Sequence, residues 1–394
     1  MAASPRVRHE QAETLADPHA VVTNDGVLPT DLLTEILLRV PAKPLCRLRL
    51  VCRSWRSLTS DPRFARTHSS RHPLFAGRSP SKDKEEYEIH IFDMSGNIVK
   101  RMCGLGDLAM HLSTQADLVC VKRYTGNAEE DPDLLLNPAT GAIHVLPGVS
   151  VSCIYATCFL GHVPSTGEYK VLRVCLQHSD GVEVQHAYEV VTLDDGSGQS
   201  WRVHVTPCPP PPTRILPYTG FMVIIREIAY VVSLLHGLDI VLFHLVTEEW
   251  RPTVVRGPCI NLQDSESIEL FELNGCLVIG NHNNKNEDCS MDLWFLVDVD
   301  KGLWTKRYSI LCGPNWKYHT PNPPCPLVVL DDGRLVVGYG WALILRAFDP
   351  RTCSWEDLAE LPDPEDSIGL YKGNLLCPGL SPMPSSHIFM ALRQ

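Results

Sequence analysis

The feature that most constrains this chain is a unit of turns and strands that recurs about every 50 residues. A polar turn that leads into a Trp occurs at the end of four apolar runs, in LDDGSGQSW (Leu193–Trp201), LVTEEW (Leu245–Trp250), VDKGLW (Val299–Trp304) and DPRTCSW (Asp349–Trp355). These Trp residues are 49, 54 and 51 positions apart. The intervening runs have strand length, and no amphipathic helix longer than two turns is found there. A repeat made only of strands indicates the blades of a β-propeller.

The repeat also predicts how many blades there are and how the ring closes. Two earlier copies lack the Trp, FDMSGNIV (Phe92–Val99) and NPATGAIHVL (Asn137–Leu146). The 308 residues from Tyr87 to the end therefore predict about six blades. The segments GLYKGNLL and HIFMALR near the end would supply a strand that closes the ring against the first blade, which removes free sheet edges. We expect the recurring Trp side chains to pack between blades.

A different pattern precedes the repeats. Residues 28–40, LPTDLLTEILLRV, predict a helix with Thr30 as N-cap, and Pro41 would end it. Pro44 would begin a second helix at its first position, and Asp61-Pro62 would begin a fourth. The apolar positions of the first helix recur on one face: Leu32, Leu33, Ile36, Leu37 and Val40. A third short helix is marked by Leu50, Val51, Trp55 and Leu58.

Charge is distributed unevenly between these two regions. Residues 28–72 hold nine Lys and Arg against three acidic residues, a net charge of +6, which leaves −17 on the rest of the chain. The acidic remainder would repel phosphate, so an acidic protein is favoured over nucleic acid as the partner of the basic segment. The 45 residues from 28 to 72 are too few to form a good hydrophobic core by themselves. Some of their apolar surface is therefore expected to contact that partner.

These patterns predict an α+β multidomain chain in four parts. Residues 1–25 would be a disordered tail, 26–72 a helical domain, 73–86 a charged linker containing PSKDKEE, and 87–394 the β domain. An alternative is that the helices simply pack on the β domain, against which the charged linker argues. The segment Gly220–Val246 is interrupted by charged residues and is not expected to cross a membrane.

Metal and export signals are weak in this sequence. The chain has 15 Cys, none in a CxxC pair, and Cys120, Cys153, Cys158 and Cys175 lie in apolar runs. We expect buried reduced thiols, no metal and no cofactor. The N-terminal residues lack the apolar stretch of a signal peptide, so the cytoplasm and/or the nucleus is the expected location.

Residues Leu28–Trp55 resemble the F-box family, because over a dozen typed positions agree at fixed spacing with the pattern LP-x-D-L-L-x-E-I-L-x-R-V-P-x-K-x-L-x-R-x-R-x-V-C-[RK]-x-W. The resemblance implies binding to the Skp-type adaptor of a cullin-based ubiquitin ligase. Carried over by position, the residues that would form or support that contact are Leu28, Pro29, Leu32, Leu33, Ile36, Leu37, Pro41, Leu45, Leu48, Val51, Cys52 and Trp55.

The remainder is similar to the F-box-associated domain of plant F-box proteins. The matching pieces are Leu134–Pro147, Gly161–Val174, Ser200–Val203, Asp239–Trp250 and Met291–Ile310. The resemblance implies a β-propeller-like fold that holds a target protein. Because propellers bind partners through loops at one face, the long connections Pro207–Tyr218 and Gly280–Met291 are candidate target-binding segments.

The leading functional hypothesis is therefore a non-catalytic substrate receptor of a Skp–cullin–F-box ubiquitin ligase. A second hypothesis is a propeller-fold enzyme, although no HExxH, GxSxG, P-loop or GxGxxG motif is present. His282, Asp288 and Cys289 share the segment HNNKNEDC, which we interpret as a solvated connection rather than a metal site. A scaffold outside the ubiquitin pathway and a nucleic-acid binder are two further hypotheses. The basic helices lack the aromatic and basic interleaving of single-strand binders.

Overall fold

The computed structural model describes residues 28–81, 86–106, 108–115, 117–123, 133–149, 155–177, 185–193, 201–206, 221–233, 237–260, 265–285, 288–311, 324–339, 344–361, 368–373 and 375. The tail predicted over residues 1–25 lies outside them. Within this part of the chain, no helix has the length and apolarity needed to cross a membrane.

Four short helices form the N-terminal domain: α1 (Thr30–Leu37), α2 (Ala42–Leu48), α3 (Arg53–Thr59) and α4 (Pro62–Arg71). Proline begins three of them. Pro29 and Pro41 are the N-caps of α1 and α2, and Pro62 is the first residue of α4 behind the Asp61 cap, whose carboxylate accepts from the Arg63 N–H at 2.6 Å. Proline suits these positions because the first helical N–H groups have no intrahelical acceptor.

Some predicted helix starts were wrong by one to three residues. Thr30 is the first helical residue of α1 rather than its cap. Pro44 is the third residue of α2, where its missing N–H is still harmless because the first turn needs no donor. Leu50 and Val51 lie in the turn before α3, whose N-cap is Cys52.

The β domain contains six antiparallel sheets. The first includes β1 (Leu74–Pro80), β2 (Tyr87–Asp93) and β3 (Ile98–Met102). The second is β4 (Leu108–Gln115), β5 (Leu118–Arg123), β6 (Asp133–Asn137) and β7 (Ala142–Val145). The third is β8 (Tyr155–Val163), β9 (Glu168–Gln177), β10 (Gln185–Leu193) and β11 (Trp201–Thr206).

The fourth sheet is β12 (Met222–Ile225), β13 (Ile228–Ser233) and β14 (Asp239–His244), with the short strands β15 (Glu249–Trp250) and β16 (Val255–Arg256) both paired to β14. The fifth is β17 (Ser265–Leu273), β18 (Cys276–Lys285), β19 (Asp288–Asp298) and β20 (Leu303–Leu311). The sixth is β21 (Cys325–Val329), β22 (Leu335–Tyr339), β23 (Ile344–Asp349) and β24 (Ser354–Glu360). The last strand, β25 (Ile368–Tyr371), pairs with β1 and completes the first sheet.

The six sheets are the blades of a closed propeller, as the repeat predicts. The inner strands β25, β4, β8, β12, β17 and β21 contact one another in ring order, and β21 returns to β25. Closure comes from β25, where Tyr371 pairs with Leu74 and Ile368 with Gly77. The sequence prediction that GLYKGNLL closes the ring against the first blade is therefore confirmed, whereas HIFMALR lies outside the described residues.

Three of the recurring Trp side chains pack where blades meet, as expected. Trp250 makes an edge contact with Tyr188 of the preceding blade, with ring centroids 5.2 Å apart. The Trp304 indole N–H donates to the Arg256 carbonyl at 2.8 Å, and Trp355 donates to Leu311 at 3.3 Å. Each indole therefore links its own outer strand to the previous blade. The N–H groups of Trp304 and Trp355 also keep a hydrogen-bond partner.

Charged groups are buried between the second and third blades. Arg173 of β9 is 1% exposed, and its Nε lies 2.8 Å from an Asp133 carboxylate oxygen. Its Nη1 lies 3.5 Å from Glu189, and its Nη2 donates to the Pro147 carbonyl at 2.5 Å. Desolvation opposes the charge, but Asp133 and Glu189 help to raise the pKa of Arg173. The guanidinium therefore joins three strands from two blades.

The region predicted as a linker, residues 73–86, instead contains a strand of the first blade. Leu74–Pro80 form β1, which lies between β25 and β2, and most of its side chains are buried. The charge that suggested a linker lies after Pro80, and β1 follows α4 with only two residues between them. The helical domain therefore continues directly into the propeller.

Candidate functional site

The first helix of the N-terminal domain presents two different apolar surfaces. Leu33 and Leu37 are buried and pack with Leu38, Leu45 and Phe64 in a small core. Leu32 and Ile36, one position earlier in each case, are 54% and 48% exposed. The five positions predicted as a single apolar face therefore divide, because α1 is covered along one side only.

Exposed apolar side chains also occur just before α1 and in the turn before α3. Val51 is 62% exposed, and Leu28, Pro29, Pro41 and Cys52 are also exposed. Of the other residues predicted for adaptor contact, Leu33, Leu37 and Leu45 are buried, and Leu48 and Trp55 are half-buried. The structure thus assigns the buried residues to the domain's own core and leaves the exposed ones available to a partner; contact with an adaptor remains a prediction for all of them.

Leu50 is a candidate that the sequence pattern did not identify. It is 77% exposed, the most exposed large apolar residue among those the structure describes. Helical spacing predicted a place for it in a third helix, but it lies in a turn, where that spacing has no meaning. We call the exposed set Leu28, Leu32, Ile36, Leu50 and Val51 the apolar surface.

Side chains of α4 and of its C-cap residue bind α1 and the residues that follow it. The Nε2–H groups of His68 and His72 donate to the carbonyls of Val40 and Leu38, at 2.8 and 3.0 Å. Carbonyls at the end of a helix have no intrahelical donor, so these bonds satisfy them. Burial lowers the pKa of His68, which keeps its ring neutral. Arg71 also makes a bidentate pair with Glu35, at 3.1 and 3.3 Å.

The helical domain contacts the propeller at one face. Ala42 of α2 belongs to the same buried cluster as Leu74 and Ile91 of the first blade. Lys43 Nζ donates to the Ile98 carbonyl at 3.3 Å, and Cys46 Sγ lies 3.9 Å from the Leu375 carbonyl oxygen. Packing of the helices on the propeller, which the sequence left open, therefore occurs together with an exposed apolar surface.

The two predicted target-binding segments differ in outcome. Pro207–Tyr218 lies outside the described residues. Gly280–Met291 was predicted as a long connection, but β18 extends to Lys285 and β19 begins at Asp288, so it is mainly a β-hairpin. The pair Lys285–Asp288 lies at one end of the fifth blade. The Asn274-Gly275 turn, which lines a cleft together with α4, lies at the opposite end.

His282 was predicted to lie in a solvated connection, and this was wrong. It is buried in β18, with Nε2 4.0 Å from a Glu269 carboxylate oxygen. Burial lowers the pKa of His282 to about 4 and raises that of Glu269 to about 7. At 4.0 Å the two groups are too far apart for a hydrogen bond, so burial prevails and favours their neutral forms.

No group of three or more potential metal ligands occurs among the described residues. Ten cysteines in this part of the chain are free thiols, and Cys120, Cys158 and Cys175 are buried as expected. Burial raises the pKa of the Cys325 thiol to about 12, which favours the protonated, unreactive form. Cys153 lies outside the described residues, as does the placement of the Asp288 and Cys289 side chains.

Comparison with known proteins gives two family matches. Residues 27–67 match the model described as F-box domain, and residues 64–337 match the model described as F-box associated beta propeller domain. Among curated proteins, the Arabidopsis thaliana putative F-box protein At5g52610 is 27% identical over 308 residues, which cover 74% of this chain and 80% of that protein. The Arabidopsis F-box/kelch-repeat protein At4g19930 is 26% identical over 72% of this chain and 69% of its own.

Similar solved structures share little sequence with this chain. TolB from Acinetobacter baumannii aligns over 77% of this chain and 67% of its own, at 10% identity and a TM-score of 0.48.

Proposed function

Because this chain belongs to the F-box proteins that carry an F-box-associated β-propeller, we propose that it is the substrate receptor of a Skp–cullin–F-box ubiquitin ligase. In this proposal the F-box binds a Skp-type adaptor and, through it, the cullin. The propeller holds a target protein. The chain itself performs no chemistry.

The apolar surface is the observation that carries this proposal. Its residues lie on a domain whose own core is already filled by Leu33, Leu37 and Leu45, so they add nothing to folding and leave apolar area in water. Large apolar side chains left in water on one small domain indicate an interaction site. The surrounding F-box carries a net charge of +6, which suits an acidic partner.

The mechanism would be proximity rather than acid–base catalysis. Joining adaptor and target through one chain raises the effective concentration of a target lysine near the conjugating enzyme. The direct passage from α4 into β1 supports this arrangement. A target held on the propeller would keep a defined distance from the adaptor, because the F-box is bonded to the first blade through Lys43 and packed on it through Ala42.

Adaptor binding can be tested with a double substitution, Leu32→Asp plus Ile36→Asp. Both side chains are exposed, so the variant should remain folded and lose at least roughly a hundredfold in affinity for a purified Skp-type adaptor. Leu303→Asp is the matched control, since Leu303 is 52% exposed on the propeller. Calorimetric titration measures the affinities and thermal denaturation checks the fold. Undiminished binding of the double variant would contradict the proposed interface.

A second experiment separates a ubiquitin-ligase receptor from a scaffold outside that pathway. Proximity labelling in plant cells, combined with mapping of ubiquitinated lysines, should identify neighbours whose ubiquitination falls when the wild-type chain is replaced by the double variant. Adaptor binding without any such neighbour would favour the scaffold. Stoichiometric metal in the purified protein would instead revive an enzymatic function.

A further inference from the structure

A cleft of about 440 Å³ lies where the F-box meets the propeller. Ala65, Arg66 and Ser69 of α4 line one wall, and Val329 and Leu370 of the sixth and first blades line the other. Small-molecule sites commonly have volumes of this order and occur where two domains meet. The proposed receptor function makes no use of this cleft, which neither family match assigns to a ligand.

An ion pair between Lys372 and Glu272 lies where the cleft meets the central channel of the propeller. The second carboxylate oxygen of Glu272 accepts from the Gly275 N–H at 2.8 Å. Both oxygens of Glu272 are thus engaged, whereas the Lys372 ammonium has three donors and gives one to Glu272. Lys372 can therefore still donate to an anion in the cleft.

Arg66 supplies a second cation to the cleft. Its Nε donates to the Pro62 carbonyl of its own helix at 3.2 Å, and its terminal nitrogens make no ion pair with any residue that the structure describes. The cleft is also lined by Asp331, and neither Asp331 nor Arg66 forms an ion pair within 4 Å with a residue that the structure describes. Arg66 and Lys372 are therefore the two cations of the cleft that keep N–H donors available for a ligand.

We propose that this cleft binds a small amphipathic anion, with its charged group facing Arg66 and Lys372 and its apolar body against Val329 and Leu370. A single carboxylate fits the two donors, since a guanidinium and an ammonium can both donate to it. The apolar walls exclude a strongly hydrophilic anion such as free phosphate as the preferred ligand. Because both domains line the cleft, a bound ligand would stabilise the orientation of the F-box on the propeller.

Three probes of equal size and different charge test this proposal on the full chain: 4-phenylbutyrate, 4-phenylbutanol and 4-phenylbutylammonium. Calorimetric titration at physiological salt should show one saturable site for 4-phenylbutyrate, at least roughly tenfold tighter than for the alcohol, and no binding of the ammonium. Equal affinities for the three probes, or no saturable binding of any of them, would overturn the proposal.

Two variants and a matched control locate the site. Arg66→Gln should weaken the binding of 4-phenylbutyrate at least roughly threefold, because only Lys372 remains to donate to it, and should leave the affinity for the alcohol unchanged. Ser69→Phe should fill the cleft and abolish binding of both. Arg63→Gln, an exposed arginine three residues earlier on α4, should bind as the wild type does. Binding that persists in Ser69→Phe, or an affinity for 4-phenylbutyrate that Arg66→Gln leaves unchanged, would refute the assignment. Adaptor titration of the same variants is a separate measurement and tests only the receptor function.

Discussion

In the F-box, neighbouring residues of one helix have opposite environments, since Leu32 is 54% exposed and Leu33 is 2% exposed. In the propeller, strands such as β14 are buried on both sides, and even Arg173 is almost fully enclosed. Four short helices can cover only one side of α1, whereas each blade is covered by two neighbours in a closed ring. One domain therefore leaves large apolar side chains in water, whereas the strands of the other are covered by their own neighbours.

The largest loss of stability is expected at Arg173, the charged residue buried between two blades. Arg173→Met would leave Asp133 and Glu189 buried without the guanidinium between them, and should lower the free energy of unfolding by about 3–5 kcal/mol. Arg346→Met is the control, because its ion pair with Asp357 is exposed and should contribute less than about 1 kcal/mol. Urea denaturation measures both. Similar losses for the two variants would mean that burial does not decide the value of these pairs.

The same contrast can be tested within α1. Leu33→Ala should cost about 2–5 kcal/mol of stability, because it opens a cavity in the F-box core. Leu32→Ala should change stability by less than about 0.5 kcal/mol. The affinity for the adaptor should fall more in Leu32→Ala than in Leu33→Ala, because Leu32 is the exposed residue of the two. Equal stability losses would show that the two sides of α1 are not distinct in solution.

Acid should destabilise the propeller through His282. Its pKa is about 4 in the folded protein and about 6.5 in the unfolded chain. The unfolded chain therefore takes up a proton first, and stability is lost as pH falls from 6.5 towards 4, by up to about 3 kcal/mol. Glu269 has the opposite effect over most of this range, so the wild-type profile should be nearly flat between pH 4.5 and 6.5. Denaturation series of His282→Gln should then show stability that falls as pH rises.

Glu269 provides the opposite control. Its pKa is raised to about 7, so its contribution falls as pH rises from 4.5 to 7. Glu269→Gln should therefore show the His282 effect alone, with stability that falls as pH drops from 6.5 to 4. A pH profile unchanged by either substitution would contradict the buried neutral pair.

The smallest effect concerns the spacing between blades. An added Cβ at Gly161 would collide with Leu245 and come within 3.1 Å of Ile224, both across the next blade boundary. Gly161→Ala should therefore cost about 1–3 kcal/mol. Gly148→Ala meets nothing within 4 Å and should be nearly neutral in the same thermal scans. A neutral Gly161→Ala would mean that the third and fourth blades can move apart at no cost.

Sequence reasoning worked best where a pattern repeats. The Trp period predicted the number of blades, and the segment containing Gly369–Tyr371 was correctly assigned to ring closure. It failed where the residues of a segment fit both a strand and a loop. The charged stretch after Pro80 concealed β1, because strand β1 carries Arg78 and Gly77 and shows little alternation. The tail of β18 was interpreted as a loop, because the polar letters HNNK do not reveal that His282 is buried.

The candidate site was predictable only in part, for the same reason. Spacing identified the apolar residues of α1, but both Leu32 and Leu33 fit a helical face, and only packing against Phe64 and Leu45 distinguishes them. Leu50 could have been found from the turn that it shares with Val51, had the start of α3 been placed at Arg53. The cleft beside Arg66 joins residues up to about 300 positions apart, which no local pattern connects.

Residue types and their spacing along the chain are enough to establish the F-box pattern, its excess of positive charge and about six repeats of strands. The three-dimensional packing was needed to show which leucines face water, that the F-box is joined to the first blade without a linker, and that Arg173 and His282 are buried. Those properties depend on what lies on the other side of each element. They are decided when distant strands close the ring.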